Sequence, residues 1–370
     1  MKIVEVNDTR KEQDFLTIAV SLYSNDPEWV RPLDKDIQDT FDKEENPKFS
    51  QGEAKRWLLQ DDNGKYIGRI AAFYSPTDFK GDKKTGGCGF FECINNQDAA
   101  DILFNTAAEW LKEKGCTEME GPVNFGERDR FWGLMVQGFK RPSYLEGYNP
   151  PYYQALFENY GFKKTIEQST SEIKLRSFKS DRFERIAQRV LTNPRYKFEH
   201  FKKGQLDKYT ADFVEIYNKA WANHEHFIPM TKEKVRGLLK SLKPIMVEEF
   251  IWFAYVDGKP AGIFANVIDV NQLFKHVNGK MNLWGVIKFL WNKRKVNRIR
   301  GIVFGLIPEV HNTGVETGMI MKNYRELKKR PQFDSAELAW IGDFNPKMHS
   351  LFSALGAETT KVHYTYCKNL

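Results

Sequence analysis

Gly305-Leu-Ile-Pro-Glu-Val-His-Asn-Thr-Gly314-Val-Glu316 is the stretch on which the reading of this 370-residue chain turns. An apolar run over 301–307 enters it, a short polar loop follows, and an amphipathic pattern over 314–329 leaves it. The order is strand, loop, helix. The first amides of a helix have no intrahelical partner, and the helix dipole adds positive potential at the same place. Loop and helix start together therefore make a site for an anion. Gly314 lets the backbone approach a ligand closely. Pro308 cannot donate to a sheet, so it weakens pairing at the strand's end and favours a cleft there. An ordinary strand-to-helix turn is the competing reading.

Working outward, the chain divides into two halves with one element order. In the first, strands are predicted over 56–60 and 65–74 around the hairpin signal Asn63-Gly64, and again at 89–94, 117–123 and 163–175. Helices are predicted over 97–114 and 150–160. In the second, strands at 250–256 and 261–268 flank Asp257-Gly258-Lys259-Pro260. Strands at 301–307, 335–341 and 361–367 follow, with helices at 314–329 and 345–355. Each half closes on a similar helix, Asn149 to Phe157 to Gly161 and Asn345 to Phe352 to Gly356, in which a Gly ends the helix four residues past an aromatic. The repetition predicts a duplicated α/β fold. Its expected parts are a domain over 1–176, a charged connector helix over 177–195 and a second domain over 196–370.

The pattern His311-x-x-Gly314-x-Glu316 resembles the Gln/Arg-x-x-Gly-x-Gly/Ala pyrophosphate loop of the GNAT-type acyl-CoA N-acyltransferase superfamily. The two Asn–aromatic–Gly helices resemble the helix that follows the fifth strand in that family. Residues 121–125, 148–153 and 337–341, with Asn345, are also similar to strings of a bacterial tandem-domain subgroup. The resemblance implies two GNAT-like domains, each a mixed, mostly antiparallel sheet flanked by helices. It implies acyl-CoA (acetyl-CoA being the expected form) as co-substrate, and direct transfer of the acyl group to an amine of a small molecule or peptide. Leu306 and Ile307 would present backbone groups to the pantetheine arm. Val310, His311, Asn312, Thr313, Gly314 and Val315 would hold the pyrophosphate, and Asn345 would orient the arm. His311 and Glu316 depart from the family pattern, and Phe352 stands where many members have a proton-donating Tyr. A thiolate leaving unaided is compatible with a thiol pKa near ~8.5. The first half has Asn95-Asn-Gln-Asp98 in place of a glycine loop, with Asp98 already at the positive end of its helix.

The acceptor amine must lose a proton. Glu127 and Asp129, in the long segment 121–151 rich in Pro, Arg and aromatics, are candidate bases, as is Glu337 on the predicted strand 335–341. The segment 272–300 carries eight Lys/Arg and no acid, interleaved with Trp, Phe, Leu and Ile. It is a candidate contact for CoA phosphates, an anionic membrane surface or RNA, and a basic helix packed on its own domain is the plainer alternative. His224-Glu-His226 lacks a third ligand of matching spacing, so no metal is expected. With 52 aromatics, 41% hydrophobic and 28% charged residues, disorder is excluded. A net charge of +7 permits an anionic ligand without demanding nucleic acid. Four cysteines without CxxC spacing, no signal-peptide pattern and no apolar run near ~20 residues predict a cytoplasmic protein without stable membrane insertion. Two rivals remain at this level: a transferase taking aminoacyl-tRNA as donor, and a GNAT-like binding or regulatory protein without activity.

Overall fold

The computed structural model describes all residues except 80, 82, 127, 129, 179, 180 and 223–228. The first half contains β1 (Lys2–Glu5), α1 (Thr9–Leu22), α2 (Asp34–Phe41), β2 (Glu53–Gln60), β3 (Tyr66–Tyr74), β4 (Thr85–Cys93), α3 (Gln97–Glu113), β5 (Glu118–Gly121), β6 (Leu134–Gln137), α4 (Tyr153–Asn159) and β7 (Lys163–Lys174). After α5 (Asp181–Leu191), the second half contains β8 (Tyr196–His200), α6 (Leu206–Ala220), α7 (Lys232–Leu242), β9 (Ile251–Val256), β10 (Lys259–Ile268), α8 (Asn271–Phe274) and α9 (Leu283–Asn292). It continues with β11 (Arg298–Leu306), α10 (Val315–Lys328), β12 (Ser335–Glu337), β13 (Ile341–Gly342), α11 (Pro346–Ala354) and β14 (Glu358–Asn369).

The strands form one sheet in the order β1-β2-β3-β4-β5-β14-β7-β12-β11-β10-β9-β8, with β6 beside β14 and β13 beside β7. The first five strands of each half repeat one arrangement. Four run as an antiparallel meander, and the fifth joins the fourth in parallel for three residue pairs, Thr85–Gly87 with Glu118–Glu120 and Arg298–Arg300 with Ser335–Glu337. The closing strands are exchanged. β7 pairs with β12, the fifth strand of the second half, and β14 pairs with β5, the fifth strand of the first. β7 and β14 also pair with each other along most of their length. An unpaired fifth strand would leave a hydrogen-bonding edge open. The exchange closes both edges and fuses the expected two sheets into one.

Two details depart from the sequence reading. The strand expected over 335–341 is broken after Glu337 and resumes only as β13 on the other neighbour, so β11 loses its partner a third of the way along. The long segment 121–151, expected as loop, contributes β6 to the edge of β14.

Helix packing follows the apolar stripes. α3 and α4 cover the first half through Phe91, Phe104, Phe157 and Phe162, with Phe91 and Phe104 stacked at 4.6 Å. α10 and α5 cover the second half through Phe183, Ala187 and Met321. The four cysteines are unpaired. Among the described residues, no helix is long and apolar enough to cross a membrane.

Candidate active site

Beyond Arg300 the edge of β11 is free, because β12 turns away after Glu337. A cavity of about 480 Å³ opens in the resulting wedge. Gly301, Val303 and Phe304 form one wall and Leu338, Ala339 and Trp340 the other. Ile320, Tyr324 and Leu327 of α10 with Met348 and Phe352 of α11 close it. Its polar groups are few, chiefly Asn266, Asn323 and Asn345. A half-open apolar cleft of this size with sparse polar groups is the usual form of a small-molecule site.

At the near end of the wedge lies the loop that opened the sequence reading. Gly314 is the N-cap of α10 and takes a left-handed conformation, φ 89°, with no side-chain cap. That φ is strained for any residue with a Cβ. The equivalent helix of the first half, α3, starts differently: Asn96 caps it by accepting from the Ala99 amide at 2.8 Å. Of these two equivalent helices, α10 is the one that starts without a side-chain cap. Within the loop, however, the amides of Val310, His311 and Thr313 donate to the carbonyls of Ile307, Pro308 and Val310. These are the turns of a tight 3-10 segment, and they leave three of the expected anion donors engaged. Glu316 in the first turn holds a buried carboxylate oxygen, Oε2, without a hydrogen-bond partner. α5 packs against this point, since a Cβ on Gly314 would lie 2.9 Å from Val190 and 3.1 Å from Ile186. Their chain neighbours Arg185 and Arg189 are exposed and form no ion pair among the described residues.

Behind the wedge, where the two halves meet, lies a buried ionic cluster. Lys361 on β14 is 1% exposed, donates to Glu337 Oε2 at 3.0 Å and is paired with Glu146. Arg298 on β11 reaches the same Glu337 oxygen at 3.1 Å and Asp269 at 2.8 Å. Ser143 donates to the other oxygen of Glu337. Burial acts to raise the Glu146 pKa, but Lys361, His363 and Arg300 outweigh it and hold the carboxyl down at about 2. Burial lowers His363 below its ordinary 6.5, with the Glu146 carboxylate pulling the other way. The His363 Nε2 lies 2.9 Å from the Gly147 carbonyl. A carbonyl only accepts, so this assigns the hydrogen to Nε2 and leaves Nδ1 as an acceptor. Glu146, His363, Gln168, Arg300 and Trp340 line a small polar niche of about 20 Å³. Trp340 lines both the niche and the apolar cavity.

Outside the loop over 310–315, the residues singled out from sequence fall into four groups. Asn345 and Phe352 line the cavity, and Asn345 also caps α11 by accepting from Met348. Leu306 and Ile307 do not line it. Leu306 pairs with Gly262 in the β10 ladder, the Ile307 amide donates to Ala261, and their carbonyls accept from His311 and Val310. Glu337 lines neither space, because its side chain is held in the ionic cluster on the far face of β12. Glu127, Asp129 and His224-Glu225-His226 lie outside the described residues. Sequence reasoning passed over Lys361, Glu146 and His363 as a group. Its one signal was a lysine on the final strand, flanked by Val362 and within the predicted strand 361–367. In the segment 272–300, Arg298 and Arg300 turn inward, Arg300 donating to the Tyr144 carbonyl at 2.8 Å, and are not available to an outside anion.

No family model matches the chain. It is 26% identical over 391 residues to the bacterial ceramide synthase of Caulobacter vibrioides (strain NA1000 / CB15N), with 100% of this chain and 98% of that protein covered. It is 24% identical over 373 residues to protein YghO of Escherichia coli (strain K12), covering 96% of this chain and 92% of the relative. Among solved structures, a tandem GNAT protein from the clavulanic acid biosynthesis pathway superposes with a TM-score of 0.57 at 14% identity, covering 100% of this chain and 98% of that one. With the repeated five-strand order, the wedge beside the fourth strand and the helix start at Gly314, this superposition shows that the chain has the tandem fold of the GNAT acyltransferases.

Proposed function

We propose that the chain transfers a long-chain acyl group from acyl-CoA to a primary amine, held in one complex with the donor. The observation that carries this reading is the apolar cavity in the β11–β12 wedge. Its 480 Å³ is far more than an acetyl group fills; a dry cavity of about 150 Å³ already holds a benzene. The acyl chain expected here is therefore longer than the acetyl implied by resemblance. The likeness to a ceramide synthase supports the same direction, since a ceramide is a long-chain amide of an amino alcohol.

Acyl-CoA supplies a thioester already activated toward amines. The chain's residues do the rest. The free edge of β11 beyond Arg300 offers backbone groups to the donor's arm. Gly314 and Val315 open the helix toward the phosphates, and Arg185 and Arg189 of α5 add charge beside that opening. Trp340 separates the acyl chain from the niche, whose volume suits about one water-sized group such as an amine nitrogen. His363, neutral at pH 7, takes the amine proton on Nδ1, with the Glu146 carboxylate nearby to stabilise the resulting cation. Holding amine and thioester together provides much of the rate. A second wedge beside β4 contains a space of about 90 Å³ lined by Trp29, Phe131, Tyr148 and Glu92, and it offers room for the rest of the acceptor.

The test is thiol release and amide formation by the full chain with palmitoyl-CoA or acetyl-CoA and a long-chain amino alcohol. Palmitoyl-CoA is expected to react faster. No thiol release from either donor, or a preference for acetyl-CoA, overturns the reading. Under the same assay, His363→Gln should lower kcat about a hundredfold or more with KM little changed. Protonation of His363 should inactivate the wild type only below pH 6.5, since burial depresses its pKa. Reversing charge with Arg185→Glu and Arg189→Glu should instead raise KM for acyl-CoA about tenfold, and added salt should mimic it.

A further inference from the structure

Helix α9 contradicts the rule by which the other helices of this chain are built. Only Gly285 and Phe289 are buried, Phe289 resting on Phe274 at 5.8 Å between ring centroids. The rest of its apolar residues face outward: Leu283 is 74% exposed, Trp284 70%, Ile287 44%, Leu290 60% and Trp291 77%. Among the described residues, seven of the ten exposed large hydrophobics fall between Met281 and Trp291. At about 100° per residue these side chains form one continuous face, opposite the Gly285–Phe289 strip. The helix is itself well made. Asn282 caps it, accepting from the Gly285 amide at 2.9 Å, so the apolar face is not a frayed end. A patch of this kind marks an interaction site.

Charge says what covers it. Lys275, Lys280, Lys288, Arg294 and Lys295 are exposed around the patch, and no Asp or Glu lies between Gln272 and Arg300. We infer that α9 and its basic rim dock the chain onto an anionic lipid bilayer, with the helix lying in the plane of the headgroups. Trp at both ends and aliphatics between them match the apolar-to-polar gradient of that interface. Lys288, at the border of the apolar face, can keep its stem in the bilayer and its ammonium among lipid phosphates. A second copy of the chain fits less well, because a symmetric contact sets the same face against itself and brings the two basic rims together. RNA would use the charge but leave Leu283, Ile287 and Leu290 uncovered. The same apolar cluster that anchors Phe289 contains Ile299, Leu327 and Ala336, which line the acyl cavity. Docking would therefore set the membrane one packing layer from that cavity. The inference stands whether or not the transferred group is a long acyl chain.

The test uses the full chain with vesicles of phosphatidylcholine alone or mixed with phosphatidylglycerol, read by co-sedimentation and by the tryptophan emission shift. Binding is expected to be at least about tenfold tighter to the anionic vesicles and to weaken with salt. Leu290→Glu with Trp291→Glu should cost about tenfold or more, and Lys288→Glu with Lys295→Glu should remove the preference for anionic lipid. Both variants alter exposed side chains, so an unchanged melting temperature is the control for folding. Three results would each overturn the inference: no vesicle binding by wild type, unchanged binding by the Leu290/Trp291 variant, or a concentration-dependent dimer that this variant abolishes. Single-stranded RNA binding that outcompetes the vesicles would do so as well.

Discussion

On the proposed function, Ala339→Trp is expected to shift the donor preference from long-chain to short-chain acyl-CoA. Ala339 lies in the cavity wall between Leu338 and Trp340, facing the free edge of β11 across the wedge. An indole there occupies space that the acyl chain needs. The wall is a loop edge beside an existing void, so the indole should be accommodated at less than the ~1–3 kcal/mol of overpacking a filled core. Discrimination by even one methylene in an apolar pocket is worth about 10–200-fold. Excluding many methylenes should therefore lower kcat/KM for palmitoyl-CoA by at least about a hundredfold, while leaving acetyl-CoA within a few-fold. Thiol release with the two donors measures the ratio. An equal fall with both would mean that the cavity is not where the chain sits.

Lys361→Met is expected to cost about 3–5 kcal/mol of stability, because it leaves buried carboxylates without their cation. Lys361 and Glu337 are each 1% exposed, and Glu146 depends on the same ammonium. Arg298 still serves Glu337 in the variant, so Glu146, left without its ion pair and with only the pull of His363 and Arg300, loses most. Adding Glu146→Gln should accordingly restore part of the loss. Urea unfolding of the single and double variants checks this. The pH dependence has a definite sign. Glu146 is held down at about 2 in the folded chain against an ordinary 4.5, so its stabilisation is complete above pH 4.5 and is lost as pH falls toward 2. The gap between wild type and Lys361→Met should narrow over that range. A variant as stable as wild type at pH 7 would mean that the cluster is solvated and not a buried unit.

Much of the fold is legible locally. Asn96, Asn282 and Asn345 start helices where capping residues should, and the strand–loop–helix at 301–329 is where its pattern puts it. The uncapped, glycine-started helix of the second half and the Asn-capped helix of the first are distinct already in sequence. The same holds for the basic, tryptophan-rich stretch around α9. These features depend on neighbours a few residues away, and short-range chemistry decides them.

The site itself was not legible in the same way. A strand shows the same two-residue alternation whichever strand it pairs with. Nothing local in β7 or β14 therefore announces that they cross to the opposite halves. That exchange brings Lys361 to Glu146 across 215 positions and Ser143 to Glu337 across 194. It also sets His363 and Trp340 around one small niche behind the wedge. Glu337 and Asn345, both visible as candidates, illustrate the two outcomes. Asn345 lines the cavity because the helix it caps forms one side of the wedge. Glu337 is taken by Arg298 of its own half and by Lys361 and Ser143, which the joined sheet brings to it. By itself the sequence determined the two halves, their element order and the glycine-started helix at Gly314, because each is written in short-range pattern. Only the tertiary structure decided where β11 and β12 part, how large a void they leave and which charges are buried behind it, because those follow from pairings between strands far apart in the chain.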